Sequence, residues 1–296
     1  MIRKASHAGS WYSAAGAELT GQLDQWMDEA AAEMDLADSN VRAIIAPHAG
    51  YRFSGRTAGY SYAGLRSVAA RIKRVYVLGP SHHVYSTTCM LTLADTLETP
   101  CGKLKVDKAE IARLSKLENF SMWSSIEEDE DEHSVEMQLP YIRRAMAGNE
   151  NFTVVPITVG SLTYQQEAKV GALLSSCLED PTVAVVISSD FCHWGSRFRY
   201  QFRLDQSKPI CESIEMLDKQ GMAIIETKDH KAFSEYLKTF KNTICGRHPI
   251  GVLLGVISAV SSKDSVQVKF VHYEQSSPCM SMSDSSVSYA AAIISS

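Results

Sequence analysis

Strand-like and helix-like segments alternate along most of this chain, and that alternation restricts the fold more than any other feature. Short apolar runs rich in β-branched residues are typical of strands that are buried on both faces of a sheet. Such runs span residues 41–46, 74–78, 152–157, 182–187 and 266–270. Helical patterns lie at residues 19–32, 108–117, 164–178, 210–219, 230–236 and 249–260. The order predicts an α/β fold in which helices flank a central, mostly parallel or mixed β-sheet.

The 296 residues are expected to form a single domain, residues 1–296. A chain of this length can bury a substantial core either as one large domain or as two small ones. The sequence contains no internal repeat, low-complexity linker or long hinge rich in proline and glycine that would mark a boundary. One domain is therefore the simpler prediction.

Charge and hydropathy exclude several classes of function. The formal net charge is -5, and no stripe of lysine and arginine could neutralise a run of phosphates, so nucleic acid is not an expected partner. The N-terminus lacks the apolar segment of a signal peptide, and no stretch of about 20 apolar residues follows, so membrane insertion is not expected. The acidic run at residues 127–132 is interpreted as a solvated loop that leads into a helix.

Cysteine usage indicates a reducing compartment. The seven cysteines are an odd number and include no CxxC pair, which argues against a disulfide framework and against a zinc knuckle. The expected localisation is cytoplasmic, with the nucleus as a further candidate compartment. Walker, GxGxxG, GxSxG and HExxH motifs are absent from the sequence, which argues against most nucleotide-binding, lipase-like and zincin-like functions.

Three of the strand-like runs are followed by a turn that contains histidine. These turns carry His48, His82 and, in the third, Asp190 and His193. If the strands are parallel neighbours, the three turns open at one edge of the sheet, where α/β proteins bind ligands. Imidazole is a common metal ligand near neutral pH, so the turns indicate a metal pocket. The alternative is that each histidine is structural or faces solvent.

Other residues extend this candidate site. Cys245 stands beside the predicted start of a helix at Pro249, a position that favours thiolate, although a buried and inert cysteine is the alternative. Cys192, in the third turn, is a competing candidate for the same role. His133 and Glu136 are three apart and would share a helix face, where they either orient a ligand or form a structural pair. Trp11 either walls the pocket or belongs to a packed N-terminal arm.

Six motifs in this order give the chain a specific resemblance to a known family. They are SHAGSWY, IIAPHAGY, LGPSHH, EDEHSVEMQLPY, SSDFCHWG and CGRHPIGVLL, between residue 6 and about residue 254, and SSVSYAA follows near the C-terminus. The combination resembles the Memo family, which is named for a mediator role in receptor-driven cell motility. The family fold is similar to that of class III extradiol dioxygenases, non-haem iron enzymes that bind metal through two histidines and a glutamate.

The resemblance implies roles for individual residues. His48 and His82 match the two metal-binding histidines, and Cys245 stands where those dioxygenases have their glutamate. Asp190 and His193 match residues that line the same pocket. A thiolate in place of a carboxylate shifts metal preference towards softer, copper-tolerant ligation, so ring cleavage is not inherited from the fold. Phe53 stands where vertebrate relatives are expected to have tyrosine, which affects ligand-binding details but not the metal ligands.

What the resemblance implies about function is a redox activity that depends on copper or iron and produces superoxide. It also implies binding of receptor or adaptor segments that carry phosphotyrosine, and links to Rho-type GTPases, cytoskeletal proteins and oxidase signalling proteins.

Three functional hypotheses follow. In the first, an oxidoreductase reduces O2 to superoxide or peroxide, with His193 as proton donor or acceptor and Asp190 setting its tautomer or binding substrate. In the second, the pocket is a phosphotyrosine-peptide site with vestigial catalysis, to which Trp11, Phe53 and Arg199 contribute. Arg197, Arg199 and Arg247 could donate paired hydrogen bonds to the phosphate, and the alternative is that these arginines are ordinary surface charges. In the third, the protein is a hydrolase with Cys245 as its nucleophile. This hypothesis is ranked last, because a cysteine that ligates a metal is not free to attack.

Overall fold

A mixed β-sheet of nine strands forms the centre of the molecule, in a computed structural model that describes residues 1–36 and 40–296. Along the sheet the strand order is β10-β12-β2-β9-β3-β8-β4-β7, and β11 pairs with β12. A smaller sheet has the order β1-β5-β6. The strands are β1 (Ile2–Arg3), β2 (Val41–Ala46), β3 (Arg74–Pro80), β4 (Cys89–Leu91), β5 (Thr96–Leu97), β6 (Leu104–Lys105), β7 (Phe120–Met122), β8 (Thr153–Val159), β9 (Val183–Ser188), β10 (His193–Trp194), β11 (Gln267–Gln275) and β12 (Ser286–Ser295).

Four neighbouring strands, β2, β9, β3 and β8, run parallel to one another. Antiparallel strands flank them, because β12 pairs antiparallel with β2 and β4 pairs antiparallel with β8. Every residue of β2 and β9 is buried, as expected for strands that are covered on both faces. The predicted α/β fold with a mixed central sheet is therefore confirmed.

The helices lie between the strands in sequence and cover the sheet. They are α1 (Gly16–Glu33), α2 (Tyr51–Ser67), α3 (Lys108–Leu114), α4 (Ile126–Asp131), α5 (His133–Glu136), α6 (Leu139–Ala145), α7 (Tyr164–Leu173), α8 (Ser176–Glu179), α9 (Ile210–Glu226), α10 (His230–Phe240) and α11 (Arg247–Ala259), with short 3-10 turns at Ala69–Arg71 and Ser196–Phe198. Helix α2 packs on β2 and β12, and α11 packs on α7, β3 and β9. None of the helices in the described ranges is both long and apolar enough to cross a membrane.

Helix α2 was not predicted from the sequence, because its composition is poor in strong helix formers and contains three glycines. Tertiary packing explains why glycine is needed there. A Cβ atom on Gly55 would lie 2.4 Å from the Trp26 ring of α1, and one on Gly64 would lie 2.6 Å from the Ile293 side chain of β12. The glycines therefore let α2 approach both neighbours, and that packing stabilises a helix that propensity alone does not predict.

The acidic run at residues 127–132 differs from its interpretation as a solvated loop. Its first five residues belong to helix α4, and two members of the run, Asp129 and Glu132, are buried. Asp129 accepts a hydrogen bond from the guanidinium of Arg3, which is itself buried, at 2.9 Å. Burial of these carboxylates is stabilised by specific partners, as buried charges require. Glu132 lies at the candidate site described next.

Candidate metal centre

Three side chains of the candidate site follow neighbouring parallel strands. His48, His82 and Asp190 each stand two residues after the end of a strand, β2, β3 and β9 respectively. Because β9 lies between β2 and β3 in the sheet, the three turns emerge side by side at its carboxyl edge. The ring centroids of His48 and His82 are 5.2 Å apart, and the rings are nearly perpendicular.

Cys245 reaches the same point from the turn before α11. Its Sγ atom lies 3.1 Å from Nε2 of His48 and 3.2 Å from the backbone nitrogen of Asp190, which donates to the sulfur. The next residue, Gly246, is needed for this approach, since a Cβ atom there would lie 2.3 Å from the side chain of Ser189. The helix itself begins at Arg247, two residues before the predicted start at Pro249.

Hydrogen bonds at Nδ1 fix the tautomer of His48. Ser188 donates its hydroxyl hydrogen to the carbonyl of Ser134 at 2.7 Å, so its oxygen can only accept from Nδ1 of His48 at 2.8 Å. Nδ1 therefore carries the hydrogen, and Nε2 keeps its lone pair.

His82 has the same arrangement with a different partner. The carboxylate of Glu132 accepts from Nδ1 of His82 at 2.9 Å and from the backbone nitrogen of His82 at 2.6 Å. The Nε2 lone pair of His82 is left free. His48, His82 and Cys245 each contribute one potential ligand atom, and these three atoms lie within 4.8 Å of one another. Each imidazole also has the kind of hydrogen-bond partner that typically orients a metal-binding histidine. Two oriented imidazoles and a thiol fit a copper or iron ion.

Burial and mutual proximity shift the pKa values of several members of this group. Burial lowers the pKa of His48 well below its ordinary value, and the nearby His82 adds to the effect. Burial also raises the pKa of the Cys245 thiol, and the Asp190 carboxylate raises it further. For Glu132, burial opposes ionisation, but the hydrogen bonds from the ring and the backbone nitrogen of His82 hold its pKa well below its ordinary value.

His133 lies against the same group as a second imidazole layer. Its ring stacks on that of His82 at 4.3 Å and contacts the Trp11 ring at 4.4 Å. Burial, followed by the charges of His48 and His82, lowers its pKa to about 3. Ligand atoms of His82, Glu132 and His133 also lie within 4.8 Å of one another, but Glu132 already holds Nδ1 of His82. We therefore assign His133 to the wall of the site.

A cavity of about 560 Å³ opens in front of these residues. Aromatic, histidine, acidic and basic side chains share its wall with a row of serines. The lining residues are Trp11, His48, Ala49, Gly50, Phe53, His82, His133, Asp190, His193, Arg197, Phe198, Ser276, Ser277, Ser285, Ser286, Val287 and Tyr289.

The predicted binding residues lie in different positions relative to this cavity. Trp11 and Phe53 both line it, and Phe53 is 45% exposed at its rim. Among the described residues, Arg199 is exposed and stands outside the lining, whereas its neighbour Arg197 belongs to the lining. The guanidinium of Arg197 lies over the Phe198 ring, 4.5 Å from its centroid. Arg197 is thus the arginine with access to a bound group.

His193 faces the cavity with its Nε2 atom available. Its Nδ1 atom lies 2.9 Å from the carbonyl oxygen of Phe191 and 3.1 Å from that of Thr243. Carbonyls only accept, so Nδ1 carries the hydrogen. The side chain of Asp190 instead accepts from the backbone nitrogens of His48 and Ala49, at 2.8 and 3.3 Å. Asp190 therefore holds the His48 turn, and backbone carbonyls fix the tautomer of His193.

The N-terminal arm that carries Trp11 is anchored on Glu136, which is fully buried. The Glu136 carboxylate accepts from the backbone nitrogen of His7 at 2.8 Å, the hydroxyl of Tyr12 at 2.7 Å and the guanidinium of Arg3 at 2.7 Å. The pair proposed from helical spacing, His133 with Glu136, is therefore not an interacting pair. Glu136 positions the arm, and the arm places Trp11 against the site.

Sequence reasoning gave no individual role to Glu132 or Ser188. It grouped Arg197 with Arg199 and Arg247 as candidate phosphate donors, and of these Arg197 lines the histidine cavity. Glu132 is the last residue of the acidic run, which as a whole was interpreted as solvated. It directly precedes His133, and that position is the sequence signal that could have identified it as part of the site. Ser188 follows the apolar run of β9 directly and lies in the SSDFCHWG motif. Neither a serine nor one arginine among several carries a distinctive signal, so only the folded structure identifies their partners.

Comparisons with known proteins agree with the resemblance noted in the sequence. The family model described as "Memo-like protein" matches residues 3–293. The chain is 48% identical to Protein MEMO1 of Xenopus laevis and 45% identical to Protein MEMO1 of Homo sapiens, in each case over 98% of this chain and 96% of the relative. It is 42% identical to Protein memo-1 homolog of Caenorhabditis elegans, over 99% of this chain and 82% of the relative.

A solved structure of an uncharacterized protein from Escherichia coli K12 aligns with a TM-score of 0.47 and 13% identity, over 83% of this chain and 98% of that chain. The family match and the identities above cover nearly the whole sequence. The chain therefore belongs to the Memo family.

Proposed function

We propose that this protein is a metal-dependent oxidoreductase in which His48, His82 and Cys245 hold copper or iron. The observation that carries the proposal is the set of Nδ1 hydrogen bonds that leaves the Nε2 lone pairs of both imidazoles free beside the Cys245 sulfur. Neutral imidazoles, and a thiol that releases its proton to solvent when it binds a metal, are the donors such a centre requires. When bound, the metal would supply the one-electron chemistry that reduces O2 to superoxide or peroxide with an external one-electron reductant.

The thiol in this donor set bears on the choice of metal. Two histidines and one carboxylate suit the Fe(II) of non-haem oxygenases, whereas a cysteine sulfur is a softer ligand that also suits copper. The third member of this candidate group is the thiol of Cys245, where those oxygenases have a carboxylate. The backbone nitrogen of Asp190 donates a hydrogen bond to its sulfur. That hydrogen bond stabilises the thiolate form and opposes the effect of burial on the pKa of Cys245.

The other residues have roles that follow from their contacts. His193 presents Nε2 to the cavity and can deliver or accept a proton there, since both carbonyl contacts use Nδ1. Asp190 keeps the His48 turn in place through two backbone hydrogen bonds. Trp11 and His133 form an aromatic wall beside His82, with the His133 ring stacked on that of His82.

The cellular role is proposed from the family. We propose that the protein acts in receptor tyrosine kinase, cytoskeletal and cell-motility signalling, in the cytoplasm and also in the nucleus. Its partners would be phosphotyrosine-bearing receptor or adaptor segments, Rho-type GTPases, cytoskeletal proteins and oxidase signalling proteins.

The oxidoreductase proposal is tested by superoxide and peroxide production from protein loaded with Cu or Fe, with ascorbate as the reductant. We expect production that depends on bound metal and falls to the level of metal-free protein in His48→Ala and Cys245→Ala. His83→Ala is the matched control, because His83 is the exposed neighbour of His82 and lies outside the ligand group. Equal production by wild type and by both ligand variants would contradict the proposal.

A second candidate function is recognition of a phosphotyrosine peptide in the same cavity, with vestigial catalysis. The observation that favours it is the combination of Arg197 with the aromatic side chains Trp11 and Phe53 in one lining. Arginine can donate two parallel hydrogen bonds to a phosphate, and aromatic walls suit a tyrosine ring. This function predicts peptide affinity that persists after metal is removed.

A further inference from the structure

A second and larger cavity, of about 770 Å³, lies on the other side of the segment that carries Cys245. We call it the cationic cleft, after four of its lining residues, Lys231, Lys238, Lys241 and Arg247. It is formed by α10 and by the first turns of α7 and α11. Within the described chain, no residue that lines this cleft also lines the histidine cavity. An occupant of the cleft would therefore not need the metal centre.

The base of the cationic cleft is a buried carboxylate that holds two imidazoles. Glu167 of α7 contacts Nε2 of His230 at 2.8 Å through one oxygen and Nδ1 of His248 at 2.6 Å through the other. The Tyr164 ring covers His230, with centroids 4.3 Å apart. These contacts join α7, α10 and α11, so the base is a built part of the fold. They also engage both oxygens of Glu167, which leaves its charge less available to nearby cations.

The charges around the cationic cleft do not balance. Four cationic side chains line it against two carboxylates, Glu167 and Glu235, and four minus two leaves an excess of two positive charges. Lys231 faces Glu235 at 3.9 Å. Among the described residues, Lys238, Lys241 and Arg247 have no carboxylate within ion-pair distance. This excess stands out on a chain whose formal net charge is -5.

The chemistry of the lining specifies the kind of anion. A phosphate monoester carries about two negative charges near neutral pH, which matches the excess, and arginine and lysine are its usual partners. The cavity is larger than a bare phosphate ion requires, and the exposed ring of Tyr164 and the half-buried Leu237 give it an apolar wall.

We propose that the cationic cleft is a binding site for a small organic phosphate. The phosphate contacts Lys238, Lys241 and Arg247, and the organic part lies against the apolar wall. The site is independent of the proposed oxidoreductase function, since the two cavities have separate linings.

Calorimetric titration of the metal-free protein with glycerol 3-phosphate, and separately with inorganic phosphate, tests this proposal. We expect glycerol 3-phosphate to bind more tightly than inorganic phosphate. In the double variant Lys238→Gln with Lys241→Gln its affinity should fall at least about ten-fold, because two charge-assisted contacts are lost. All variants are first checked for the wild-type unfolding temperature.

Two controls make the result specific. The double variant Lys116→Gln with Lys263→Gln has the same change in net charge at exposed positions outside the cleft, and it should bind like wild type. Arg197→Ala, which alters the histidine cavity, should also bind like wild type. The proposal is overturned if neither probe binds, if inorganic phosphate binds as tightly as glycerol 3-phosphate, or if either control loses as much affinity as the cleft variant.

Discussion

The Sγ atom of Cys245 lies 3.1 Å from Nε2 of His48, although the two residues are 197 positions apart in the chain. The end of β9 brings them together. Ser188 holds the His48 ring through Nδ1, and the hydroxyl of the next residue, Ser189, accepts from the backbone nitrogen of Gly246 at 3.1 Å. One short segment thus positions two of the three candidate ligands, which lie on different elements.

Glu132 should contribute to metal affinity although it is not one of the proposed ligands. Glu132→Gln removes the charge that orients His82, and we expect metal affinity to fall by about 10- to 100-fold while the fold is kept. Competition with a chelator of known affinity measures this change. Asp131→Asn is the matched control, since Asp131 is the adjacent acidic residue and is exposed. Equal affinities of the two variants would show that the contact with His82 is unimportant.

His193 should affect the reaction more than metal binding. His193→Gln replaces the imidazole that faces the cavity with an amide that cannot transfer a proton, and general acid–base catalysis contributes typically about 100-fold or more. We therefore expect metal affinity close to that of wild type and a slower rate of O2 reduction at saturating ascorbate. A variant that loses metal and rate in the same proportion would instead assign His193 to the metal-binding group.

Arg197 and Arg199 provide a matched pair for the peptide-binding alternative. Arg197 lines the histidine cavity, whereas Arg199 is exposed outside it. If the cavity binds phosphotyrosine, Arg197→Ala should weaken binding of a phosphotyrosine peptide at least about ten-fold, because a charge-assisted contact is lost. Arg199→Ala should weaken peptide binding less. Fluorescence anisotropy of a labelled peptide with metal-free protein measures both affinities. The reverse order would place the peptide outside this cavity.

Glu136 should make stability depend on pH below the neutral range. Burial opposes its ionisation, but the hydrogen bond from His7 and the charge of Arg3 lower its pKa from 4.5 to about 2. A depressed carboxyl pKa adds stability above the unfolded value, so this contribution is complete above about pH 4.5 and is lost as the pH falls towards 2. Its size is about 3 kcal/mol in the free energy of unfolding.

Urea unfolding of Glu136→Gln beside wild type measures this contribution. We expect a loss of about 3 kcal/mol near neutral pH and a smaller difference near pH 3, where wild type also begins to lose the charge. Glu150→Gln is the control, since the side chain of Glu150 is 73% exposed and should contribute little. A difference that stays constant with pH would mean that the negative charge of Glu136 does not cause the stabilisation.

Much of this fold can be predicted from the sequence, because apolar periodicity records burial. The run at residues 41–46 coincides with β2, and the runs at 74–78 and 182–187 fall on β3 and β9 to within two residues at either end. Helix α2 and strand β12 cannot be predicted in this way. The glycines of α2 and the alanines of β12 carry little apolar signal, and both elements are stabilised by contacts with distant parts of the chain.

The same distinction applies to the site. His48 and His82 can be identified because each follows a strand-like run, and Cys245 because it precedes a helix. The roles of Ser188 and Glu132 depend on the direction of single hydrogen bonds across the sheet edge, which no sequence spacing encodes. Asp190 shows the limit most clearly, since its side chain holds the backbone of His48 and not the ring of His193.

The central claim is that His48, His82 and Cys245 form one metal centre. Anaerobic titration with Cu(I), Cu(II) and Fe(II), combined with elemental analysis, tests it most directly. The proteins compared are wild type, His48→Ala, His82→Ala and Cys245→Ala. Cys211→Ala is the control, because Cys211 lies outside the ligand group. The account predicts roughly stoichiometric binding in wild type and in the control, and its loss in all three ligand variants. Wild-type binding no stronger than that of the three variants would contradict it.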